Sequence, residues 1–223
     1  MMNIKSKNEE FTLFNQLSDE WWNDNGKFKI LHQIKNREIK NLKILDVGCG
    51  GGIICEPLAR LGAKVTGIDF APNNISAAKI HSKKNKLKIN YIYKDVEKSK
   101  LDGKFDLILM FEVLEHLDNW KKTIKKIKKN LNKNGIIIIS TINRNSISKL
   151  FAINIAENIL KWIPKGTHDY NKLIKPEELK KTLTQENFHF KNIKGLVFDP
   201  LSGEWKLSNN YMINYFCTAN LIN

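Results

Sequence analysis

The chain has 223 residues, a formal net charge of +14 and 42% hydrophobic residues, enough for one large core and hence one domain. It lacks a run of about 18 apolar residues or an apolar leader, so the expectation is a cytoplasmic protein, at most peripheral on the inner face of the cytoplasmic membrane. All but three of the 37 basic residues are lysine, the exceptions being Arg37, Arg60 and Arg144. A nucleic-acid footprint would favour arginine, so a solvated lysine surface is expected.

In chain order, residues 9–40 read as a helical segment carrying Trp21 and Trp22, with a break at Gly26. Short apolar runs then alternate with amphipathic stretches. LKILDVG (42–48), AKVTGIDF (63–70), KINYIYKDV (88–96), KFDLILMFEV (104–113) and GIIIIST (135–141) read as strands. Helices are expected over Gly52–Leu61, from Pro72 onward, and over 120–131, where Ile124, Ile127 and Leu131 recur at helical spacing. Alternation of this kind predicts a doubly wound, Rossmann-like α/β fold with a parallel sheet. Residues 144–174 interrupt the rhythm. They are partly helical by the spacing of Phe151, Ile155, Ile159 and Trp162, and too long for an ordinary connection. A helix over 177–187 follows, then two strand-like runs at 190–200 and 211–222, which brings the expected sheet to seven strands. Cys49, Cys55 and Cys217 lack CxxC spacing and read as reduced thiols.

The sharpest local signal is Leu45-Asp46-Val47-Gly48-Cys49-Gly50-Gly51-Gly52, a strand that ends in a glycine-rich turn opening a helix. Glycines let a ligand approach the backbone closely. A carboxylate at Asp46 would be awkward beside a pyrophosphate, but it suits the zwitterionic methionine end of S-adenosylmethionine, either by orienting the turn or by meeting a cationic group. Asp69 ends the second strand, where a carboxylate can accept from both ribose hydroxyls. Such a pair is similar to motif I and its successor in class I methyltransferases. Asp95, after the third strand, either accepts from the adenine amino group or caps a turn. Phe111, ending the fourth strand, either lines the cofactor pocket or belongs to the core.

Beyond that strand lies Glu112-Val113-Leu114-Glu115-His116, at the sheet edge where open α/β folds bind ligands. Two carboxylates and an imidazole can deprotonate a phenol, with His116, Glu112 and Glu115 as the catalytic groups. The same three could hold a divalent cation such as Mg2+ that chelates adjacent phenolic oxygens. Helix capping by Glu115 is the plain alternative.

Over nearly its whole length the chain resembles the ubiquinone-biosynthesis O-methyltransferases. The resemblance is carried by Trp21-Trp22 with Gly26, Phe28 and Leu31-His32, by LDVGCGGG, VTGIDF and EVLEH, and by the insertion with Asn143-Arg144-Asn145, Ala156-Glu157 and Pro164-Lys165-Gly166-Thr167-His168-Asp169. It implies a class I methyltransferase fold with S-adenosylmethionine held by Arg37, Gly48, Asp69 and Phe111, to which the reading of the glycine turn and the third strand adds Asp46, Gly50 and Asp95 as cofactor-binding candidates. At Phe111 the family usually has methionine, and the stretch before Ile44 is shorter here. The implied reaction is O-methylation of polyprenylated hydroxyphenols and demethylubiquinol. The corresponding division of the single domain is a helical cap (residues 1–41), a cofactor-binding core (42–143), a substrate and membrane insertion (144–175) and a C-terminal helix with strands (176–223). Lysines beside the apolar stripe of the insertion suit an anionic membrane surface, while packing on its own core or a second copy is the alternative. Two rival functions remain from the sequence: a class I methyltransferase for another small molecule, and an RNA-associated methyltransferase. The second lacks a base-stacking platform.

Overall fold

The structure, a computed structural model, describes residues 39–150, 169–199 and 204–222. Nearly all of the expected N-terminal cap, with Arg37, and the centre of the insertion, with Phe151, Ile155, Ile159 and Trp162, lie outside the described residues.

β1 (Lys43–Val47), β2 (Lys64–Asp69), β3 (Asn90–Tyr93), β4 (Phe105–Phe111) and β5 (Leu131–Ile142) run parallel, with α1 (Cys55–Arg60), α2 (Pro72–Lys84) and α3 (Trp120–Ile127) as crossovers. α4 (Pro176–Gln185) precedes β6 (Phe188–Asp199), β7 (Glu204–Ser208) and β8 (Asn214–Leu221). The order across the sheet is β3-β2-β1-β4-β5-β8-β6-β7, with β8 antiparallel to β5. The sheet thus has eight strands where seven were expected. The additional one is β7, whose five residues alternate too briefly to be read as a strand without β6 beside them. α1 begins at Cys55 rather than Gly52, because the preceding residues are spent on the turn.

Period-two alternation assigns the core to both faces of the sheet. Leu45, Val47, Ile108, Met110, Ile137 and Ile139 pack with Ile124 and Ile127 of α3 and with Leu179 and Leu183 of α4. Their neighbours Ile44, Leu107, Leu109 and Ile138 pack on the opposite face with Cys55 and Leu58 of α1 and Ile75 and Ala78 of α2. Each such aliphatic side chain contributes roughly 1.5–3 kcal/mol by leaving water. α3 starts where Asn119 accepts from the Lys122 amide, and it ends in a 3-10 turn at residues 128–130. No helix of the described residues is long and apolar enough to cross a membrane.

Candidate active site

The carboxyl ends of β1, β2 and β4 converge on the glycine-rich turn. Both Gly48 and Cys49 donate their amides to the Ile68 carbonyl, at 2.8 and 3.0 Å. Asp69 clamps the turn from the end of β2, its Oδ2 accepting from the Gly50 amide at 2.9 Å and its Oδ1 from the Ala71 amide at 2.8 Å. The Asn74 side-chain amide also donates to Oδ1, at 3.4 Å, and the remaining lone pairs could receive ribose hydroxyls. Gly48 has φ +72°, and a Cβ there would lie 2.4 Å from Cγ2 of Val113. At Gly50, with φ +51°, a Cβ would meet nothing within 4 Å, so the turn is open there to close approach. Tyr91 lies against the turn, its hydroxyl 3.5 Å from the Gly52 carbonyl.

Asp46 sits within β1, buried, with its Oδ2 accepting from the Cys55 thiol at 3.2 Å. Burial pushes its carboxyl up to about 7, opposed by the Cys55 hydrogen bond and reinforced by the charge of Asp69. Burial likewise pushes the Cys55 thiol upward, which marks it as a packed thiol rather than a reactive one.

Asp95 caps a turn, its Oδ1 accepting from the Glu97 and Lys98 amides at 2.8 and 3.3 Å. Against the upward push of burial, these amides and the Lys98 ammonium hold its carboxyl below the usual range. Its Oδ2 faces Lys98 at 3.5 Å and would have to be shared to receive an adenine amino group. The half-buried ring of Phe111 packs edge-on against Phe216, with centroids 5.5 Å apart. Phe70, next to Asp69, was missed by the sequence reading. It is 71% exposed at the end of β2 and offers an open apolar face where a planar base could rest. Its only sequence signal was its place after the strand-terminal acid.

At the end of β4 the chain turns sharply. Glu112 has φ +54°, a left-handed conformation uncommon outside glycine, and Ser140 of β5 holds it there. The Glu112 amide donates to the Ser140 carbonyl at 3.1 Å, and the Ser140 hydroxyl donates to Glu112 Oε1 at 2.7 Å. Glu115, in the 3-10 turn Leu114–His116, is buried at 3% exposure. Among the described residues, neither of its carboxylate oxygens nor the Thr141 hydroxyl meets a hydrogen-bond partner. Burial, followed by the charge of Glu112, pushes the Glu115 carboxyl upward. Raising the carboxyl of one member of an adjacent acidic pair is a direction suited to acid–base work. His116 is exposed on the same turn.

The expected metal set of Glu112, Glu115 and His116 is not assembled: among the described residues, no group of three or more His, Cys, Asp or Glu is arranged to hold a metal ion. Neighbouring residues on a 3-10 turn project about 120° apart, so a buried Glu115 leaves His116 facing outward.

A methyltransferase-domain family matches residues 25–192. The ubiquinone biosynthesis O-methyltransferase of Rickettsia typhi is 44% identical over 97% of this chain and 93% of its own length. The one from Pelagibacter ubique is 42% identical over 93% of this chain and 95% of its own length. Among solved structures, magnesium protoporphyrin IX methyltransferase from Synechocystis PCC 6803 with bound SAH superposes with a TM-score of 0.65 at 18% identity, covering 99% of this chain and 88% of that one. An S-adenosylmethionine-dependent methyltransferase from Methanosarcina mazei gives 0.64 at 20% identity, covering 86% of this chain and 97% of its own. Those two likenesses bear on the fold, which is that of class I methyltransferases. With a clamped glycine turn, a strand-terminal acid and relatives alike over nearly the full length, the chain belongs to the ubiquinone-biosynthesis O-methyltransferases.

Proposed function

We propose that the protein methylates a phenolic oxygen of polyprenylated hydroxyphenol and demethylubiquinol intermediates in ubiquinone biosynthesis, with S-adenosylmethionine as donor. The observation that carries this reading is the carboxyl pair Glu112–Glu115 at the sheet edge beside the glycine turn, in a chain so similar to O-methyltransferases of that pathway. S-adenosylmethionine supplies an electrophilic methyl group. The phenolic oxygen forms the new O–CH3 bond as the S–CH3 bond breaks, the sulfonium becomes a neutral thioether, and the phenolic proton passes to a base. Glu112 is the base, since it is exposed and oriented by Ser140. Holding both partners in line supplies much of the acceleration.

The test is turnover of a short-chain demethylubiquinol analogue. Binding of S-adenosylmethionine without turnover would place the chain's activity on another small molecule. A chelator arm decides the divalent cation expected from the sequence. Loss of turnover restored by Mg2+ assigns it to the carboxyl pair, and unchanged turnover leaves the pair as acid and base alone. The substrate tail also favours peripheral attachment to the inner face of the cytoplasmic membrane through residues 146–170. Extracting a polyprenyl chain into water would cost about 0.8 kcal/mol per methylene.

Asp69→Ala is expected to weaken S-adenosylmethionine binding by about ten- to a hundredfold, since ribose hydroxyls and the Gly50 and Ala71 amides all lose their acceptor. Titration calorimetry checks it, and an unchanged dissociation constant rejects the assignment. A second expectation concerns pH. S-adenosylmethionine carries a net positive charge, which favours ionised Asp46, so binding releases a proton from a carboxyl pushed up to about 7. Affinity should rise by up to about tenfold from pH 6 to pH 8. Asp46→Asn should flatten that profile; an equally steep one would acquit Asp46.

A further inference from the structure

Five large apolar side chains, Ile147, Leu150, Tyr211, Met212 and Ile213, are between 37% and 51% exposed. They come from two distant stretches of chain that hydrogen bonds fasten together. Asn143 donates its side-chain amide to the Tyr211 carbonyl at 3.1 Å and its backbone amide to the Ile213 carbonyl at 2.9 Å. The side chain of Asn145 donates to the Met212 carbonyl at 2.6 Å, and the buried Ser148 hydroxyl reaches the Met212 and Ile213 carbonyls at 2.9 and 3.2 Å. On its other flank the loop's Asn210 carbonyl lies so close to Gly195 that a Cβ there would come within 1.9 Å. The loop is therefore held by its backbone, and its apolar side chains are left outward.

Two further features say what such a surface meets. β5 and β8 pair Ile142 with Asn214, which puts the patch at the carboxyl end of β5, on the sheet edge that carries Glu112 and Ser140. Residues 143–150 and 206–216 contain no acidic residue and carry Lys149 and Lys206, together with Arg144, whose guanidinium is paired with Glu178 of α4. Lys149 lies over the Tyr170 ring at 5.2 Å, and Lys194 donates to Asn209 beside the loop. Apolar side chains rimmed by lysines match the acyl layer and headgroups of an anionic bilayer.

We propose that the β7–β8 loop, through Tyr211, Met212 and Ile213 with Ile147 and Leu150 beside them, is a lipid-docking surface that seats the substrate-bearing edge of the sheet on an anionic membrane. This rests on the lipid-tailed substrate proposed above, and it adds the β7–β8 loop as a docking element beside the first residues of the insertion, whose centre is not among the described residues. The test uses the full chain and vesicles of phosphatidylglycerol and phosphatidylcholine, without substrate. Tyr211→Ser, Met212→Ser and Ile213→Ser combined should lower the vesicle partition coefficient by roughly tenfold or more. Melting temperature and kcat/KM on the tail-less analogue should stay as in the parent, while turnover of a long-tailed substrate in vesicles falls. Unchanged partition of a folded variant overturns the proposal. Unchanged partition with a lower melting temperature also overturns it and assigns the patch to cover by residues 151–168; unchanged partition with a dimer lost in sedimentation velocity assigns it to a second copy. A parent that binds vesicles but turns over no demethylubiquinol analogue sinks the substrate reading and leaves the docking result standing.

Discussion

Gly48→Val should abolish measurable S-adenosylmethionine binding. Two independent effects act at this position. The backbone has φ +72°, where a β-branched residue costs upwards of about 1–2 kcal/mol, and the added Cβ would lie 2.4 Å from Cγ2 of Val113. Neither the side chain nor the turn has anywhere to yield. Val113 is buried, and the Gly48 and Cys49 amides are both tied to the Ile68 carbonyl. The loss expected is at least about a hundredfold in dissociation constant, with destabilisation of about 2–4 kcal/mol. Because such a variant can fail to fold, Gly48→Ala with and without Val113→Ala separates the causes. Relief of the contact should recover part of the melting temperature in the double variant, while the strained φ keeps the remainder of the loss and leaves binding weaker than in the parent. If Gly48→Val folds and binds like the parent, the turn does not hold the cofactor.

Glu112→Gln should lower kcat by about 10²–10⁴-fold with S-adenosylmethionine affinity unchanged, because an amide cannot take the phenolic proton. Glu115→Gln should behave differently. The Glu115 carboxyl is pushed above its ordinary value by burial and by Glu112, so the native state keeps a proton that the unfolded chain gives up above about pH 4.3. Stability therefore falls as pH rises from that point toward the raised native value. Gln carries no such proton and removes the slope. The variant should match the parent near pH 4 and exceed it at neutral pH, in denaturant titrations at both pH values. Were Glu115→Gln to lose as much turnover as Glu112→Gln, the two carboxylates would be acting as a charged pair, as they would around a cation. Parental turnover in Glu112→Gln removes it as the base.

Much of the fold was legible because its signals are local. The apolar run Ile136–Ile139 reads as a strand covered on both faces, and it is one, between β4 and β8. Pro72 and Pro176 mark helix starts because a proline lacks only an amide that the first turn leaves unbonded anyway. β7 was not legible, since a five-residue strand of weak alternation exists by virtue of its pairing with β6. The same contrast runs through the site. Gly48, Gly50 and Asp69 could be named from a strand, a turn and a strand-terminal acid, which are consecutive in the chain. That Asp69 clamps the Gly50 amide, or that Ser140 holds Glu112 in a left-handed conformation, joins residues on different strands.

By itself the sequence determined the order of the five parallel strands and their crossover helices, the glycine turn, the acids near it and the family, because periodicity, turn chemistry and motif spacing are written in neighbouring residues. Only the tertiary structure decided that Glu115 is buried beside Glu112 while His116 faces outward, so that among the described residues the three expected metal donors do not gather. It alone brought Tyr211, Met212 and Ile213 beside Ile147 and Leu150 at the substrate edge. Burial, charge coupling and shared surface depend on which distant residues pack together, and that is settled only when the sheet closes.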